Sequence, residues 1–514
     1  MAVKYKKNEL IEKLADLNFD LISKWAIYGT GNGASLIYSI LEEMGYASSV
    51  KYFIDRDDMV DGNRTFCNIS VIKLQDAAEQ VAGIIIAAFD HHEIIKNRIE
   101  TSLSKEQLAK LTIIDIFVYN VKRDCAKYAE YIERSVLKQG EDFVPFSEGG
   151  YCRKEGDVKT IAWYLPQFHQ LEINNKFHGQ GFTEWTNTST AIPMFTGHYQ
   201  PHIPYDVGYY DLLNPETWKR QIYLAKHYGI YGFCIHYYWF SGTHLMEKPL
   251  ELLLEHKELD MPFCLNWATE NWTALWDGGN KEIMLEQKLE AGDDERFMAD
   301  ILPYMKDSRY IKIDGKPILV IYRINMFEKG RANRLLKNFR EIAKREGFPD
   351  LYIMLTNAFD FMEDVKEWGA DAIVEFPPFL MIPLMEKKEL KGYVNPYFNG
   401  EVYDATEFVD QKSYFFSHDN ETYFRSALVS WDNTARKARS FARIMTGLTP
   451  ATTATWLKDI IAESKKIHSE SEHIVFVNSW NEWAEGSHLE PDMKYGYAYL
   501  QAIKDVLEDM REDE

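Results

Sequence analysis

Short apolar segments alternate with helical stretches from residue 160 to the end of the chain, and this repeat constrains the fold more than any other feature. Most of the segments are uninterrupted apolar runs, which are typical of parallel strands buried on both faces. Eight candidate strands begin at Thr160, Ile230, Pro262, Pro317, Leu351, Asp371, Ala427 and Ile474. Eight strand–helix repeats predict a (β/α)8 TIM barrel, and a doubly wound open sheet is the alternative.

A different pattern comes first. The apolar run 24–28 leads into a glycine-rich turn, a helical stretch follows, and a second candidate strand covers residues 50–54. This is the order of a Rossmann mononucleotide-binding half, in which glycines permit a tight turn and the helix N-terminus can receive a phosphate. Further candidate strands at 84–88 and 111–118 predict a small Rossmann-like doubly wound domain before the barrel. Its candidate nucleotide-binding residues are Gly29, Gly31, Gly33 and Asp55.

Two interpretations of this turn stay open. A nucleotide or nucleotide sugar could occupy it, or the domain could be a scaffold or interaction module that keeps the turn without a ligand. The second is favoured, since no hydride-transfer base or nicotinamide pocket is evident nearby. The acidic and histidine-rich run 90–93 is interpreted as a helix start. A change of composition after this domain predicts the boundaries: Rossmann-like domain 1–122, helical linker 123–157 and barrel 158–514.

The charge of the chain disfavours two classes of partner. The 58 Lys and Arg residues against 79 Asp and Glu residues give a formal net charge of −21, which repels nucleic acid and anionic membrane surfaces. No segment reaches the ~20 apolar residues of a membrane span, and the N-terminus indicates an amphipathic helix instead of a signal peptide. Five scattered cysteines without CxxC spacing indicate reduced thiols. We expect a cytoplasmic protein without a metal site or a cofactor.

The candidate barrel strands begin apolar and end in polar and aromatic residues. Active sites of such barrels lie at the carboxyl ends of the strands. Twelve of the 13 tryptophans lie in this part of the chain, and indole faces stack well on sugar rings while amides and carboxylates bond the hydroxyls. The pattern therefore predicts a saccharide site. The candidate substrate-binding residues, at strand ends or in loops, are Tyr164, His169, Trp185, His236, Tyr237, Asn266, Trp267, Glu270, Asn271, Trp272, Tyr322, Glu375, Trp431, Trp480 and Trp483.

The candidate catalytic residues are Glu482 and Glu485, which follow the last strand. Carboxylates three residues apart face one space if the turn between them is helical. Two close carboxylates push their pKa values apart, so that one can be protonated while the other is ionised. Glycosyl transfer to water needs that division of roles. The alternative, a helix-start cap with exposed acids, explains their position among tryptophans poorly.

Five longer segments carry a resemblance to a known family. They are WYLPQFH (163–169), GQGFTEWTN (179–187), YGFCIHYYWF (231–240), LNWATENWT (265–273) and FVNSWNEWAEGSHLEP (476–491). They resemble the family described as glycosyltransferase WbsX, whose barrel is similar to glycoside hydrolase family 99, the endo-acting α-mannosidases and mannanases. The resemblance implies that Glu482 is a base which helps the sugar's 2-hydroxyl attack the anomeric carbon through a 1,2-anhydro sugar. It implies that Glu485 is the general acid and then the base for water, without metal or cofactor. Glu270 and Glu375 are alternatives for the acid.

Three functions follow as hypotheses. The first is a retaining glycoside hydrolase or transglycosidase, α-mannosidase-like, that acts on a surface-polysaccharide or lipid-linked glycan. The second is a glycosyltransferase of lipopolysaccharide, O-antigen or capsule biosynthesis, which would require an activated donor. The third is a non-catalytic glycan-binding protein, which the Glu482–Glu485 pair disfavours.

Overall fold

The computed structural model describes residues 10, 14, 19, 24–60, 62–88, 91–116, 139–195, 197–273, 283–359, 364–389, 398, 400–415, 422–437 and 441–511. The chain divides into two compact units, Met1–Ala126 and Lys127–Glu514. The predicted linker lies outside the described residues up to residue 138, and so does Asp90 of the predicted helix start.

The first unit is built on a six-stranded sheet. Its strands are β1 (Trp25–Tyr28), β2 (Val50–Ile54), β3 (Thr65–Phe66), β4 (Ile69–Ile72), β5 (Gly83–Ile86) and β6 (Thr112–Asp115). Its helices are α1 (Asn32–Glu43), α2 (Leu74–Gln80), α3 (His92–Ser102) and α4 (Lys105–Lys110). The strand order is β3-β4-β2-β1-β5-β6, and every pair is parallel except β3 with β4.

Burial explains the centre of this sheet. Strands β1 and β5 are buried at every residue, as expected for central parallel strands covered on both faces. Helix α1 connects β1 to β2, and α2 connects β4 to β5. Parallel strands joined by helices match the strand–helix order expected from the sequence. The relation of this unit to Rossmann folds stays a prediction.

The second unit is built on a parallel barrel. Its strands are β7 (Lys159–Tyr164), β8 (Gly232–Phe240), β10 (Phe263–Ala268), β14 (Lys316–Tyr322), β15 (Tyr352–Asn357), β16 (Ala372–Glu375), β19 (Tyr423–Phe424), β20 (Ser426–Leu428) and β23 (Ile474–Asn478). They pair in the order β19-β16-β15-β14-β10-β8-β7-β23-β20, and all neighbours are parallel. The result is a nearly closed barrel, in keeping with the TIM-like architecture predicted.

The seventh strand position differs from the sequence expectation. A single strand from Ala427 was predicted, but two short strands occupy residues 423–428 and only Arg425 separates them. The first, β19, pairs with β16, and the second, β20, pairs with β23. One chain segment therefore meets both edges of the barrel by changing partners at Arg425.

Helices surround the barrel strands. They are α5 (Glu172–His178), α6 (Glu184–Thr190), α7 (Pro215–His227), α8 (Glu247–Glu255), α9 (Asp293–Met305), α10 (Lys329–Arg345), α11 (Thr406–Asp410), α12 (Pro450–Ile467) and α13 (Ala498–Asp509). Helix α10 shows why such segments pack here: its buried residues recur at three- and four-residue spacing from Ala332 to Ala343, which forms one apolar stripe. Among the helices described, none is both long enough and apolar enough to cross a membrane.

Short strands add local structure around the barrel. They are β9 (Thr243–Leu245), β11 (Trp272–Thr273), β12 (Ile283–Leu285), β13 (Lys312–Ile313), β17 (Glu386–Lys387), β18 (Gly400–Asp404), β21 (Trp431–Asp432), β22 (Ala442–Thr446), β24 (Asn481–Glu482) and β25 (Ser487–His488). Strands β17, β18, β22 and β21 form a separate four-stranded sheet, while β24 and β25 form a hairpin directly after the last barrel strand. This hairpin holds the predicted catalytic acids.

Candidate active site

The hairpin of β24 and β25 positions both predicted acids. Glu482 ends β24, and Glu485 ends the single 3-10 turn that follows. Gly486 comes next with a φ of 62°, a left-handed conformation that favours glycine. A side chain would also not fit there, because a Cβ on Gly486 would lie 2.9 Å from the Cβ of Asp432. The loop is therefore held tightly against β21.

One buried arginine connects the acids. Arg436 donates through Nη2 to Oε2 of Glu482 at 3.0 Å and through Nη1 to Oε1 of Glu485 at 2.8 Å. It also donates from Nη2 to Oε1 of Glu184, at 2.5 Å. A single guanidinium thus fixes three carboxylates by charge-assisted hydrogen bonds. Because one cation faces three acids, the cluster has an excess of negative charge unless it holds protons.

Burial shifts the proton equilibria of this cluster. It raises the pKa of Glu482 above its ordinary value, Arg436 opposes the rise, and repulsion from Glu485 and Glu184 adds to it. Burial likewise raises the pKa of Glu270, against the effect of its ion pair with Arg323. Carboxyl groups with raised pKa values can exchange protons nearer to neutral pH, as acid–base catalysis requires.

A cavity of about 520 Å³ opens above the acids. Seven of the predicted site residues line it: His236, Glu270, Asn271, Trp272, Tyr322, Glu482 and Glu485. Residues that were not predicted complete the wall, namely Leu165, Gln167, Glu184, Tyr238, Ala268, Thr273, Met326, Phe359, Phe376, Phe379, Asn433, Arg436, Lys437, Phe441 and Arg443. The wall combines aromatic faces with carboxylates, amides and cations, the mixture that a polar ring-shaped ligand needs.

His236 presents a neutral imidazole to this cavity. Burial, together with the nearby charge of Arg436, lowers its pKa to about 4. Behind it, the Nδ2 of Asn266 lies 3.1 Å from its Nδ1. Asn266 does not line the cavity, and its role here is to orient His236. A neutral ring so held can exchange a hydrogen bond with a hydroxyl group.

Three predicted binding residues face away from the cavity. Tyr164 stacks on Trp218 of α7, and both Tyr237 and Trp267 contact Phe297 of α9. Successive residues of a strand point to opposite faces, so that His236 lines the cavity while its neighbour Tyr237 packs under a helix. These three aromatic side chains belong to the layer between strands and helices.

Three further predicted tryptophans are buried at or behind the hairpin. Trp480 and Trp483 each donate from Nε1 to the carboxylate of Glu490, at 3.1 and 2.6 Å. Trp185 packs against Trp483 with ring centroids 5.4 Å apart. Glu490 also accepts hydrogen bonds from Tyr210 and Gln221. Its buried carboxylate fixes the indoles next to Glu482 and supports the site without lining the cavity.

The remaining predicted residues of this unit also lie outside the cavity wall. Glu375 is buried and pairs with Arg425 at 2.8 Å. Trp431 is buried with its ring against Phe379, which does line the cavity. His169 is buried as well. The structure therefore separates Glu375 from the acids that reach the cavity.

Sequence reasoning missed Arg436 and Glu184. Glu184 lies within the segment GQGFTEWTN, where an acid between aromatic residues was a usable signal. Arg436 gave none, because its partners are 252, 46 and 49 residues away along the chain.

In the first unit, the glycine turn lies next to a closed polar cluster. Gly29 has a φ of 122°, Gly31 precedes α1, and Gly33 lies within it. The carboxylate of Asp55 accepts hydrogen bonds from Thr30 and from Arg64. Burial acts to raise the pKa of Asp55, but these hydrogen bonds outweigh it and the pKa lies below its usual value.

The sequence predicted no metal site. Within the described residues, His202, His488 and Asp492 form a buried group whose ligand atoms lie within 4.8 Å of one another. These side chains could hold a metal ion.

The family of the chain is given by a match over residues 160–503 to the model described as "Glycosyltransferase WbsX". The match covers more than half of the sequence. The chain belongs to this family. Two relatives are each called "Uncharacterized protein WxcX", from Xanthomonas campestris pv. campestris strains B100 and ATCC 33913. Each is 34% identical over 349 residues, which are 68% of this chain and 49% of the relative. The chain thus spans about half the length of these relatives.

Solved structures of similar shape are more distant. One is a glycoside hydrolase-like protein, 13% identical with a TM-score of 0.45, covering 71% of this chain and 98% of that one. Another is the GH99 endo-alpha-mannosidase from Bacteroides thetaiotaomicron, 14% identical with a TM-score of 0.40, covering 68% of this chain and 96% of that one.

Proposed function

We propose that this member of the WbsX family is a carbohydrate-active enzyme that breaks a glycosidic bond with Glu482 and Glu485. The reaction is that of a retaining glycoside hydrolase or transglycosidase on an α-mannose-containing surface-polysaccharide or lipid-linked glycan. One observation carries the proposal: Arg436 holds both acids side by side in the wall of an aromatic-lined cavity.

The proposed first step breaks the bond between the leaving oxygen and the anomeric carbon. Glu482 takes the proton of the sugar's 2-hydroxyl as that oxygen attacks the anomeric carbon. Glu485 gives its proton to the leaving oxygen, and a 1,2-anhydro sugar remains. This step needs one proton on the pair, on Glu485, whereas burial and repulsion raise the pKa of Glu482, so the shared proton must pass from Glu482 to Glu485 when the substrate binds.

The second step restores both acids. Glu485 takes a proton from water or from an acceptor hydroxyl, whose oxygen bonds to the anomeric carbon. The bond to the sugar's O2 breaks, and Glu482 returns its proton to O2. Burial raises the pKa of Glu482, so that it is a stronger base once it is ionised but keeps its proton to a higher pH.

The cavity wall supplies contacts for the sugar rings. Trp272, Tyr238 and Tyr322 offer aromatic faces on which C–H groups can stack. Asn271 accepts a hydrogen bond from the backbone of Gln287 at 2.6 Å, which fixes its amide for a hydroxyl. The neutral ring of His236 adds a second polar contact.

The family description favours a second candidate, a glycosyltransferase of lipopolysaccharide, O-antigen or capsule synthesis. In that reaction an activated sugar would provide the leaving group, and the first unit would act as a Rossmann-like nucleotide-binding domain. A cytoplasmic location fits either reaction.

The test uses purified protein and a mixed panel of α-mannose-containing and bacterial O-antigen oligosaccharides, with products followed by mass spectrometry. One set of tubes has no nucleotide sugar, and a parallel set contains a mixture of them. Shortened or transferred glycans without a donor are expected. Glycans that lengthen only with a donor would replace the proposed reaction with the glycosyltransferase one.

A further inference from the structure

We propose that His202, His488 and Asp492 form a structural binding site for a zinc-like divalent metal ion next to the hairpin of β24 and β25. The proposal does not depend on the proposed function. Two imidazoles and one carboxylate are the ligand set that suits zinc and neighbouring transition metals.

The three ligand atoms already converge. His202 Nδ1 lies 2.7 Å from His488 Nε2, and His488 Nε2 lies 3.7 Å from Asp492 Oδ2. Bonds of about 2.0–2.2 Å to a tetrahedral zinc place its ligands about 3.3 Å apart. The two separations lie on either side of that value and all three ligand atoms lie within 4.8 Å of one another, so the rings of His202 and His488 must move apart to admit the ion.

The outer atoms of two ligands are fixed by the backbone. His488 Nδ1 lies 2.9 Å from the carbonyl oxygen of Glu490, to which it donates. Asp492 Oδ1 accepts from the backbone amides of Lys494 and Tyr495, at 2.9 and 2.7 Å. Metal-binding histidines usually donate their second nitrogen to a carbonyl or carboxylate in this way. The inner atoms, His488 Nε2 and Asp492 Oδ2, are thereby left directed at the shared space.

This arrangement brings two acceptors close together. Because Nδ1 of His488 carries the proton, Nε2 presents a lone pair, and it faces a carboxylate oxygen. All three side chains are buried, with 6%, 3% and 3% exposed for His202, His488 and Asp492. Two acceptors facing one another away from water are costly unless a positive charge or a donor serves both. Here the ring of His202 lies at hydrogen-bond distance from His488 Nε2 and the hydroxyl of Tyr199 interacts with the Asp492 carboxylate, and a divalent ion would take the place of these donors.

The position suggests what the ion would do. His488 lies in β25 and stacks on Trp483 with ring centroids 3.7 Å apart. His202 comes from a loop 286 residues earlier. An ion between them would tie that loop to the hairpin of Glu482 and Glu485, and so would stabilise the hairpin without touching substrate.

The experiment measures metal content of the full-length protein by inductively coupled plasma mass spectrometry. Wild type, His202→Gln and His256→Gln are purified from zinc-supplemented cultures. His256 is the matched control, since it is a partly exposed histidine that pairs with Glu258 away from this cluster. We expect about one zinc per chain in wild type and in His256→Gln, and at least a 10-fold lower content in His202→Gln.

A second measurement tests the site in wild type and so does not depend on the folding of His202→Gln. Crystals of wild type are used to collect anomalous diffraction at the zinc edge. A peak between the three side chains supports the site. A wild type that holds less than about a tenth of an equivalent, before and after incubation with zinc, overturns the proposal, as does a zinc peak located elsewhere. In that case the two histidines are simply a hydrogen-bonded pair.

Discussion

Two buried arginines of the barrel unit form ion pairs with buried carboxylates, but only one of the two clusters lines the cavity. Arg436 bonds three acids that all line the cavity, and one of them, Glu485, is 15% exposed. Arg425 bonds Glu375 and Glu463 and lies over the rings of Tyr423 and Phe415, outside the cavity wall. The chemistry is similar in both, but only the first cluster can meet a ligand.

The comparison shows that a perturbed pKa does not identify a catalytic acid. Burial raises the pKa of Glu375, against the effect of Arg425, just as it raises that of Glu482. Structural ion pairs and active sites share this property. What separates the two glutamates is access to the cavity, which Glu482 lines and Glu375 does not.

Removing either acid of the first cluster should have the largest effect on turnover. We expect Glu482→Gln and Glu485→Gln each to lower kcat/KM by about 1,000-fold or more, since each loses a proton transfer. Steady-state kinetics on the glycan found by the panel gives the value, and circular dichroism checks the fold. Either variant keeping a tenth of wild-type activity would remove that residue from the mechanism.

The next largest effect on turnover is expected for Arg436, the cation that bonds both acids. Arg436→Lys keeps a charge but cannot bridge the acids, so we expect about a 100-fold loss of kcat through misplacement. Arg436 lowers the pKa of Glu482, so weakening this contact should raise that pKa further. Because Glu482 acts as a base only when it is ionised, the acidic limb of the pH–rate profile should move to higher pH.

Arg425→Lys is the matched control for this shift. It should lower stability and leave the acidic limb in place. A limb that moves equally in both variants would show that the two clusters do not differ in the way described.

Replacing Glu490 should have an intermediate effect on turnover, because its carboxylate fixes Trp480 and Trp483 next to the acids. Glu490→Gln puts an amide NH2 among four donors, so we expect a loss of about 3 kcal/mol in the free energy of unfolding. A slight shift of the hairpin should lower kcat by about 10-fold. Thermal and urea unfolding, with kinetics, measure both.

The pH dependence of this variant has a definite sign. Burial raises the pKa of Glu490 to about 7, so its protonation stabilises the folded state fully below about pH 4.5. That contribution is lost as the pH rises through 7. The stability difference between wild type and Glu490→Gln should therefore shrink from pH 4.5 to pH 7. A difference that grows over this range would contradict the raised pKa.

The smallest effect on turnover is expected in the second cluster. Glu375→Gln should change kcat/KM by no more than about 2-fold, since the side chain does not line the cavity. It should cost about 3 kcal/mol of stability, because Arg425 loses a buried ionic partner. A large loss of activity in a folded variant would return Glu375 to the candidates for the acid.

The sequence was informative where spacing along the chain decides the outcome. Apolar runs predicted the barrel strands, and the three-residue interval predicted that Glu482 and Glu485 could share a space, as their common contact with Arg436 shows. Patterns of residue type could not tell which aromatic side chain of β8 faces inwards. Tyr237 and Tyr238 are chemically identical, and register alone puts Tyr238 in the cavity.

Contacts between distant segments lay beyond prediction. Arg436 meets Glu184 across 252 residues, and the change of strand partner at Arg425 depends on how the barrel closes. Neither has a local signal, because each results from packing of the whole unit.

The most direct test of the central claim follows the oxygen of water. The responsive glycan is incubated in heavy-oxygen water with wild type, Glu485→Gln or Glu375→Gln, without any nucleotide sugar, and products are weighed by mass spectrometry. For wild type and Glu375→Gln we predict products that carry one heavy oxygen at each new reducing end when water is the acceptor, or unlabelled transfer products when a sugar hydroxyl is; for Glu485→Gln we predict neither. Labelled products from Glu485→Gln at the wild-type rate would contradict the assignment, as would products that form only after a nucleotide sugar is added.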